Sequence, residues 1–362
     1  MYLKKYLLYT FLGVFPFLLA QCSDEKYIDP LQREMVTLHV PLSTKAGDPA
    51  YESKIQNARM IVAHSASRKI LINTVVPNQI DPVSQEWAKF IASVPVGDID
   101  LYLFANELSS WNLNSYTVGS NAPTANQLQA MTLDVTDYPD VDITHPIPMF
   151  LYHQNIHIDK FGVMTMGGAP LTTFEVVRIF SKVRIKINCP YSALPDATPM
   201  TLDSVYIRQM PKKSWLLAKT HDLPGGSANF FDGTYYDPSY AKVANATALD
   251  GTAGFYHEYI FYIPEYIPSN ASLYTYLVLT AHRNSNPAHR FHYKLVIGNG
   301  IATKTIQQMF ASTTPSDFRI PRNTYYILDI EKITAFGEDD VIAIVLNPTV
   351  SSWTVVDIPL IQ

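Results

Sequence analysis

From Met149 onward the chain consists largely of short runs that alternate apolar and polar residues, with the period of two that β-strands show. The sequence contains 25 Pro against 15 Gly and is rich in Thr, Val, Ile and Tyr. Proline is disfavoured inside helices, whereas β-branched and aromatic residues favour strands, so we expect a mainly β protein. The strands predicted from Met149 onward cover residues 150–159, 171–177, 178–189, 202–210, 255–263, 273–282, 291–297, 325–334, 341–346 and 353–361.

The composition excludes several classes of protein. A chain of 362 residues is too long for one ordinary core and fits two domains of about 150 residues each. Only 16% of the residues are charged and 47% are hydrophobic, which excludes a disordered chain. The net charge of -5 shows no excess of Lys and Arg, so we expect no nucleic-acid partner.

The start of the chain has the features of an export signal. Two lysines precede fifteen uncharged, mostly apolar residues, which are too few to span a membrane. The segment ends on Leu19-Ala20-Gln21-Cys22, which resembles the lipobox of bacterial lipoproteins. We expect a signal peptide at residues 1–21, lipid (diacylglycerol and palmitate) on Cys22, and a surface-export signal in Ser23-Asp24-Glu25. Gln21 replaces the small residue that is usual before the cysteine, which leaves a simple secreted form as the alternative.

Cys22 and Cys189 are the two cysteines of the sequence, so a lipidated Cys22 leaves no partner for an intramolecular disulfide. Cys189 ends the alternating run Val183, Ile185, Ile187, Cys189. This position favours a buried, inert thiol over a nucleophile. We therefore expect neither a disulfide framework nor cysteine chemistry.

An isolated, half-buried strand is predicted at residues 35–42. Its apolar face consists of Val36, Leu38, Val40 and Leu42. The loop that follows, residues 43–49, is built of turn-forming and small residues and carries Lys45 as its one basic side chain. An exposed loop of this kind suits a protease.

Few helices are expected. Asp81-Pro82 provides a helix N-cap followed by proline at the first helical position. Apolar residues then follow at helical spacing, at Val83, Trp87, Ile91 and Val94. A second short helix is predicted after Thr124, which forms a capping box with Gln127.

The remaining first half is predicted to be β. Residues 54–64 and 69–76 indicate a hairpin, and the nearly continuous apolar run 99–106 indicates a central strand. Unbroken strands begin near Phe174, so we predict a domain boundary there, between an N-terminal domain at 46–174 and a C-terminal domain at 175–362.

No pattern in the sequence assigns a catalytic residue, a cofactor or a metal. We find no nucleophile elbow, phosphate-binding glycine loop, dinucleotide fingerprint or paired metal-binding cysteines. His257-Glu258 begins like a zincin motif, but Phe261 stands at the position of the second histidine. One strand face carries His153, Asn155, His157 and Asp159. This face could either bind a metal or be solvent-exposed, and we favour solvent exposure. We therefore expect a protein that is not an enzyme.

Three residue groups leave binding roles open. Arg178, Lys182, Arg184 and Lys186 alternate with apolar positions and predict a solvated strand face. A loop contains Phe230, Phe231, Tyr235, Tyr236 and Tyr240. These rings suit stacking on sugars, a protein interface or local packing. A basic tip contains His282, Arg283, His289, Arg290 and His292. It suits an acidic partner or a plain hairpin end.

Several segments follow one another in a characteristic order after the leader and the basic loop. They are Glu52-Ser53-Lys54-Ile55, the strand 99–106 that ends in Ala-Asn, the basic-apolar run 177–187, the segment 320–326 and a last strand from Trp353. Together they resemble the fimbrillin family, the stalk subunits of type V pili in anaerobic Gram-negative bacteria. The resemblance implies two transthyretin-like β-sandwich domains, with one or two short helices in the N-terminal domain, and a subunit that polymerises by strand exchange.

The resemblance also implies how exchange would occur. A trypsin-like protease would cut between Lys45 and Ala46 and free the tether and first strand, residues 22–45. A donor strand at 353–362 would then enter the groove of a neighbouring subunit. Its inward residues are Thr354, Val356, Ile358 and Leu360. Arg33 is a second possible cleavage point, but a cut there leaves the first strand attached.

We therefore expect a structural pilus subunit, exported as an outer-membrane lipoprotein and then incorporated into an extracellular fimbrium that supports cell adhesion. Its expected partners are other copies of itself, related pilins, the outer membrane, the processing protease and host or bacterial surface ligands. The alternatives are a lipid-anchored anchor or accessory subunit, and a lipoprotein that binds glycan through Tyr235 and Tyr236. A secreted hydrolase would need a site assembled from distant residues.

Overall fold

A computed structural model of the chain describes residues 34–40, 55–76, 90–134, 146–171, 174, 176–211, 213–217, 230–231, 254–265, 268, 271–272, 274–336 and 344–352. Strands dominate this part, and its helices are short, which confirms the mainly β prediction.

The strands are β1 (Met35–Val40), β2 (Ala58–His64), β3 (Ile70–Val76), β4 (Phe90–Pro95), β5 (Gly97–Ala105), β6 (Thr132–Asp134), β7 (Met149–Ile158), β8 (Met164–Met166), β9 (Ala169–Pro170), β10 (Val177–Arg178), β11 (Phe180–Pro190), β12 (Met200–Arg208), β13 (Met210–Pro211), β14 (Lys213–Trp215), β15 (Phe230–Phe231), β16 (Gly254–Pro264), β17 (Tyr276–Arg283), β18 (Asn286–Val296), β19 (Thr324–Ile333) and β20 (Ile344–Ser352). The described helices are α1 (Ala125–Ala130) and α2 (Ile306–Phe310). Short 3-10 turns lie at Ser109–Trp111, Leu113–Ser115, Tyr191–Ala193, Pro195–Ala197, Asn299–Ala302 and Pro315–Phe318.

The first half forms one large antiparallel sheet in the order β3-β2-β5-β7-β8-β9, and β10 pairs with β7. The predicted hairpin is present as β2 and β3, and its turn is closed by the His64 amide, which donates to the Lys69 carbonyl at 2.9 Å. β5 is central, because Leu103 lies opposite Met60 on one side and Leu151 on the other.

Both faces of this sheet are covered, because alternate residues of β5 enter different cores. Tyr102 and Phe104 pack with Trp111 and Leu128 on one face. The opposite face is the first-strand core, which consists of Ile55, Ala58, Met60, Val62, Val94, Ile99, Leu101, Leu103, Ala105, Met149, Leu151, Ile156, Ile158, Met164, Phe174 and Val176. A strand buried on both faces has to be apolar throughout, which explains the continuous run at 99–106.

The second half forms a β-sandwich. The sheet β16-β11-β19-β20 and the sheet β12-β17-β18 share a core to which Ile185, Leu328, Leu279 and Tyr293 contribute. β11 and β19 run parallel, while the other pairs in these two sheets are antiparallel. Inward residues alternate along the strands, as the period of two predicted.

A short cross-pair joins the two halves. β6 of the first half pairs with β14, so that Thr132 lies opposite Trp215. The Leu216 amide donates to the Met131 carbonyl at 2.9 Å, and the Leu216 side chain packs in the core around Trp111. We call this contact the junction.

The predicted helix after Pro82 is wrong where it can be compared. Ile91 and Val94 lie in β4, which pairs with β1, and residues 77–89 lie outside the described part. The predicted helix after Thr124 is confirmed as α1, with its capping box formed in both directions: the Gln127 amide donates to Thr124 Oγ1 at 3.2 Å, and the Thr124 amide donates to Gln127 Oε1 at 2.8 Å.

Candidate functional site

β1 lies antiparallel to β4, and the two form a small sheet of their own. The register places Met35 opposite Pro95 and Val40 opposite Phe90. The Val96 amide donates to the Glu34 carbonyl at 2.8 Å and extends the pairing by one residue. Within the described ranges, β4 pairs with no strand other than β1. Removal of β1 would therefore leave the backbone groups of β4 without their strand partner.

One side chain near the start of β1 is directed inward. Val36 is partly buried and packs against the first-strand core, and Val94, its partner in register, is fully buried. Met35, the preceding residue, is 46% exposed. The contrast between these two neighbouring residues agrees with the half-buried strand that the sequence predicted. Through Val36, β1 helps to cover the first-strand core.

The residues predicted for assembly fall partly within the described structure. The backbones of Val36, Leu38 and Val40 lie in β1. The others lie outside the described residues: Cys22, Leu42, Lys45, Ala46, Thr354, Val356, Ile358 and Leu360. Of the aromatic loop, Phe230–Phe231 forms β15, and Tyr235, Tyr236 and Tyr240 are outside as well. Cleavage, lipidation and donation of the tail therefore stay predictions.

The polar residues of β7 do not form a metal site. Asn155 has a φ of 55° where the register with β5 shifts, so the alternation breaks. His157 lies 2.7 Å from Asp98, and His153 lies beside Phe174, where desolvation lowers its pKa. No group of three or more His, Cys, Asp or Glu in the described part is arranged to hold a metal.

A polar cluster that the sequence did not indicate fixes the end of the β2–β3 hairpin. Asp100 is buried and accepts hydrogen bonds from Arg68 Nη1, from Ser65 Oγ at 2.9 Å and from the Asn155 amide at 3.0 Å. Arg68 Nη2 also donates to the Tyr102 hydroxyl at 2.7 Å. Burial raises the pKa of Tyr102. These partners lie far apart in sequence, so no local spacing could reveal them. The cluster has a structural role, because it links the β2–β3 hairpin to β5 and β7.

The basic tip is the end of the β17–β18 hairpin. This is the second of the two interpretations that the sequence left open, the first being a site for an acidic partner. His282 Nδ1 lies 2.8 Å from Asp203 Oδ1, and Arg290 Nε lies 3.7 Å from Asp203 Oδ2. The Arg283 guanidinium stacks over the Phe336 ring at 3.5 Å from its centroid. These contacts favour a structural role over capture of an acidic partner.

An exposed apolar turn was also missed by sequence reasoning. Phe161 is 79% exposed in the connection between β7 and β8, and Val163 is 43% exposed beside it. We call residues 159–163 the Phe161 turn.

The fold can be compared with solved structures. The tip fimbrial protein Mfa3 from Porphyromonas gingivalis, with a C-terminal truncation, aligns with a TM-score of 0.57 at 13% identity, over 88% of this chain and 100% of that chain. A candidate cell adhesion protein from Bacteroides eggerthii gives 0.54 at 12% identity, over 90% and 98%. One from Parabacteroides distasonis gives 0.53 at 16% identity, over 91% and 98%.

The chain has the fimbrillin fold. This result confirms the fold expected from the order of segments in the sequence. No family model and no curated protein matches the sequence itself. The fimbrillin fold is thus detected through three-dimensional similarity at identities of 12% to 16%.

No helix among the described residues has the length and apolar character needed to cross a bilayer. In this fimbrillin fold the functional candidate is a backbone feature, the β1–β4 pair over the first-strand core.

Proposed function

We propose that this chain is a structural subunit of a bacterial pilus that acts in cell adhesion and has no enzymatic activity. The observation that carries the proposal is β1, which supplies the strand partner of β4 and one inward side chain to the first-strand core. The shared fold with a tip fimbrial protein and with candidate adhesion proteins supports it.

Assembly proceeds by strand exchange. The sequence predicts that four apolar side chains, at 36, 38, 40 and 42, fill a groove, and they lose this burial once β1 leaves. Burial of this kind is worth roughly 6 to 12 kcal/mol as an upper bound, so an empty groove is unfavourable. The tail of a second copy, with Thr354, Val356, Ile358 and Leu360 at the same spacing of two, restores the burial and the backbone pairing of β4.

Processing controls the exchange. The leader at 1–21 directs export, and lipid on Cys22 holds the precursor at the outer membrane. A trypsin-like protease then cuts between Lys45 and Ala46, which separates β1 from the rest of the chain and releases the subunit for the extracellular fimbrium. In this scheme residues 46–174 form the N-terminal domain and 175–362 the C-terminal domain with its donor strand at 353–362.

The test is limited trypsin digestion of the leader-free chain, followed by mass spectrometry, SDS gels without boiling and electron microscopy. We expect one early cut after Lys45 and then SDS-resistant ladders. Lys45→Ala should abolish both, whereas Arg33→Ala should change neither. Deletion of 353–362 should leave the cut intact and remove the ladders. Ladders that persist after this deletion would disprove the proposed donor.

A second candidate is an anchor or accessory subunit that keeps its first strand. In such a subunit β1 would stay in the place on β4 that it occupies in the intact chain. Resistance of the Lys45–Ala46 bond to trypsin, together with a monomer that stays lipidated in the outer membrane, would support this candidate over a stalk subunit.

A further inference from the structure

The Phe161 turn presents an apolar side chain on a rigid support. The Phe161 and Val163 amides donate to Asp159 Oδ1 at 2.8 and 2.9 Å, and the Asp159 amide donates to the Val163 carbonyl at 3.1 Å. Gly162 has a φ of 84°, which glycine adopts without strain. Local hydrogen bonds therefore order the backbone of the turn while Phe161 is 79% exposed, so binding through this side chain would cost little backbone entropy.

This turn lies at one mouth of the groove that β1 occupies. The carbonyl of Glu34, directly before β1, accepts a hydrogen bond from the Val96 amide at 2.8 Å. Gly97 follows Val96 in the chain and lies opposite Ile158 in the β5–β7 register. Asp159 begins the turn directly after Ile158. The Glu34 end of β1 and the Phe161 turn are thus at the same end of the large sheet.

The direction of β1 determines which mouth a replacing strand uses. A donor that takes the antiparallel register of β1 on β4 runs from the Glu34 mouth to the Val40 mouth. Its first residues, which are joined to the body of the donor, therefore lie at the Glu34 mouth. Thr354, the first proposed donor residue, follows Ser352, the last residue of β20, by two positions. Two extended residues span about 7 Å, so the folded body of the donor has to contact this mouth.

We propose that the Phe161 turn is the surface on which the body of the donor, a second copy of this chain, docks during strand exchange. The proposal rests on the proposed function and adds a contact outside the groove. The occupant is a second copy because the donor strand is the tail of this chain, and its short connection to β20 brings the rest of that copy to this mouth. Phe161 and Val163 supply the apolar contact, and association of the bodies accelerates entry of the strand.

The test distinguishes binding of the donor strand in the groove from docking of the folded body of the donor on the Phe161 turn. Trypsin-cut chain that lacks 353–362 is titrated with a fluorescent peptide of residues 353–362, and polymerisation of the cut full-length chain is followed by light scattering. Both measurements are made on wild type, Phe161→Asp and Phe161→Leu. The matched control is Val75→Asp, because Val75 is 47% exposed on β3 at the opposite end of the same sheet.

We expect Phe161→Asp to bind the peptide within about twofold of wild type and to polymerise about tenfold more slowly, as for loss of one interface contact. Phe161→Leu and Val75→Asp should polymerise like wild type. Wild-type rates for Phe161→Asp overturn the proposal. Slow assembly of Val75→Asp with normal Phe161→Asp also overturns it, because the contact between bodies then lies at the opposite end of the sheet. Peptide binding to the cut wild-type chain is measured first, before any variant is compared. If that chain binds no peptide, the result contradicts strand exchange, which is the proposed function.

Discussion

At the residue scale, burial determines the chemistry of Cys189. Its side chain is fully buried in the core between the two sheets of the second half, and its thiol donates to the Ile330 carbonyl at 3.4 Å. Burial raises the pKa of this thiol to about 12, so that almost no thiolate is present at pH 8. We expect iodoacetamide to leave the native chain lacking residues 1–22 unlabelled, since Cys189 is then its one thiol, and to label Cys189 completely in denaturant, as measured by mass spectrometry. Labelling of the native chain within minutes would contradict this.

The same pKa shift has a defined effect on stability. The ordinary pKa of the thiol is 9.0, and the folded value is higher, so the folded state binds this proton more tightly. The contribution of the thiol to the free energy of unfolding is therefore complete below about pH 9 and is lost as the pH rises toward 12.

Val36 provides the residue-scale test of β1. Its side chain packs against the first-strand core, so Val36→Asp places a charge against apolar groups. We expect the free energy of unfolding to fall by about 2 kcal/mol, measured with urea. Met35→Asp is the matched control on the exposed side of the same strand, and its effect should stay within about 0.5 kcal/mol. Equal effects of the two substitutions would show that β1 has no inward face.

Some side chains could not be assigned an environment from sequence. Arg178 and Lys182 were expected to be solvated, yet both are 1% exposed. Alternation identifies which residues share a face, but it does not say what covers that face. Lys182 Nζ lies 4.8 Å from the centroid of the Tyr325 ring, on β19, a strand far along the chain. Arg184 is closer to the expectation, since it is 30% exposed and pairs with Glu258 at 2.8 Å.

At the scale of elements, α1 depends on its cap because a helix of six residues gains little from its own hydrogen bonds. Thr124→Ala removes the acceptor for the Gln127 amide, and we expect a loss of about 1 kcal/mol in urea unfolding. Thr124→Ser keeps the acceptor and should restore most of the loss. An unchanged midpoint for Thr124→Ala would show that α1 is held by packing of Leu128 alone.

The comparison of α1 with β4 shows what local sequence can predict. The capping box of α1 is complete within four residues, so it is visible in the sequence. β4 has apolar residues at helical spacing, but Ile91 lies opposite His39 of β1 and the conformation is determined by that distant partner. Tertiary pairing overrides local periodicity in such cases. For the same reason the strand predicted at 341–346 continues as β20 to Ser352 along β19.

At the scale of the whole molecule, composition and segment order were sufficient to predict the fold. The junction between the halves could not be predicted from the sequence. Arg322 Nη1 donates to the Leu216 carbonyl at 2.5 Å and Nη2 to the Trp215 carbonyl at 2.9 Å. Arg322 Nε and Nη2 donate to Glu265 Oε2 at 3.0 and 2.8 Å. These groups come from three separate parts of the chain, and only the folded structure brings them to the strand β14 that crosses to the first half.

The last prediction concerns this junction. The side chains of Arg322 and Glu265 are 13% and 4% exposed, so Glu265→Ala leaves a buried guanidinium without its carboxylate. We expect a loss of about 3 kcal/mol in the free energy of unfolding, whereas Glu258→Ala, which breaks a pair that is 30% and 36% exposed, should cost less than about 1 kcal/mol. Unfolding is followed by urea titration and by hydrogen exchange. Because Arg322 contacts the segment that pairs with β6, Glu265→Ala should also speed exchange of the Leu216 amide, and normal protection there would show that the junction is held by its strand pair alone.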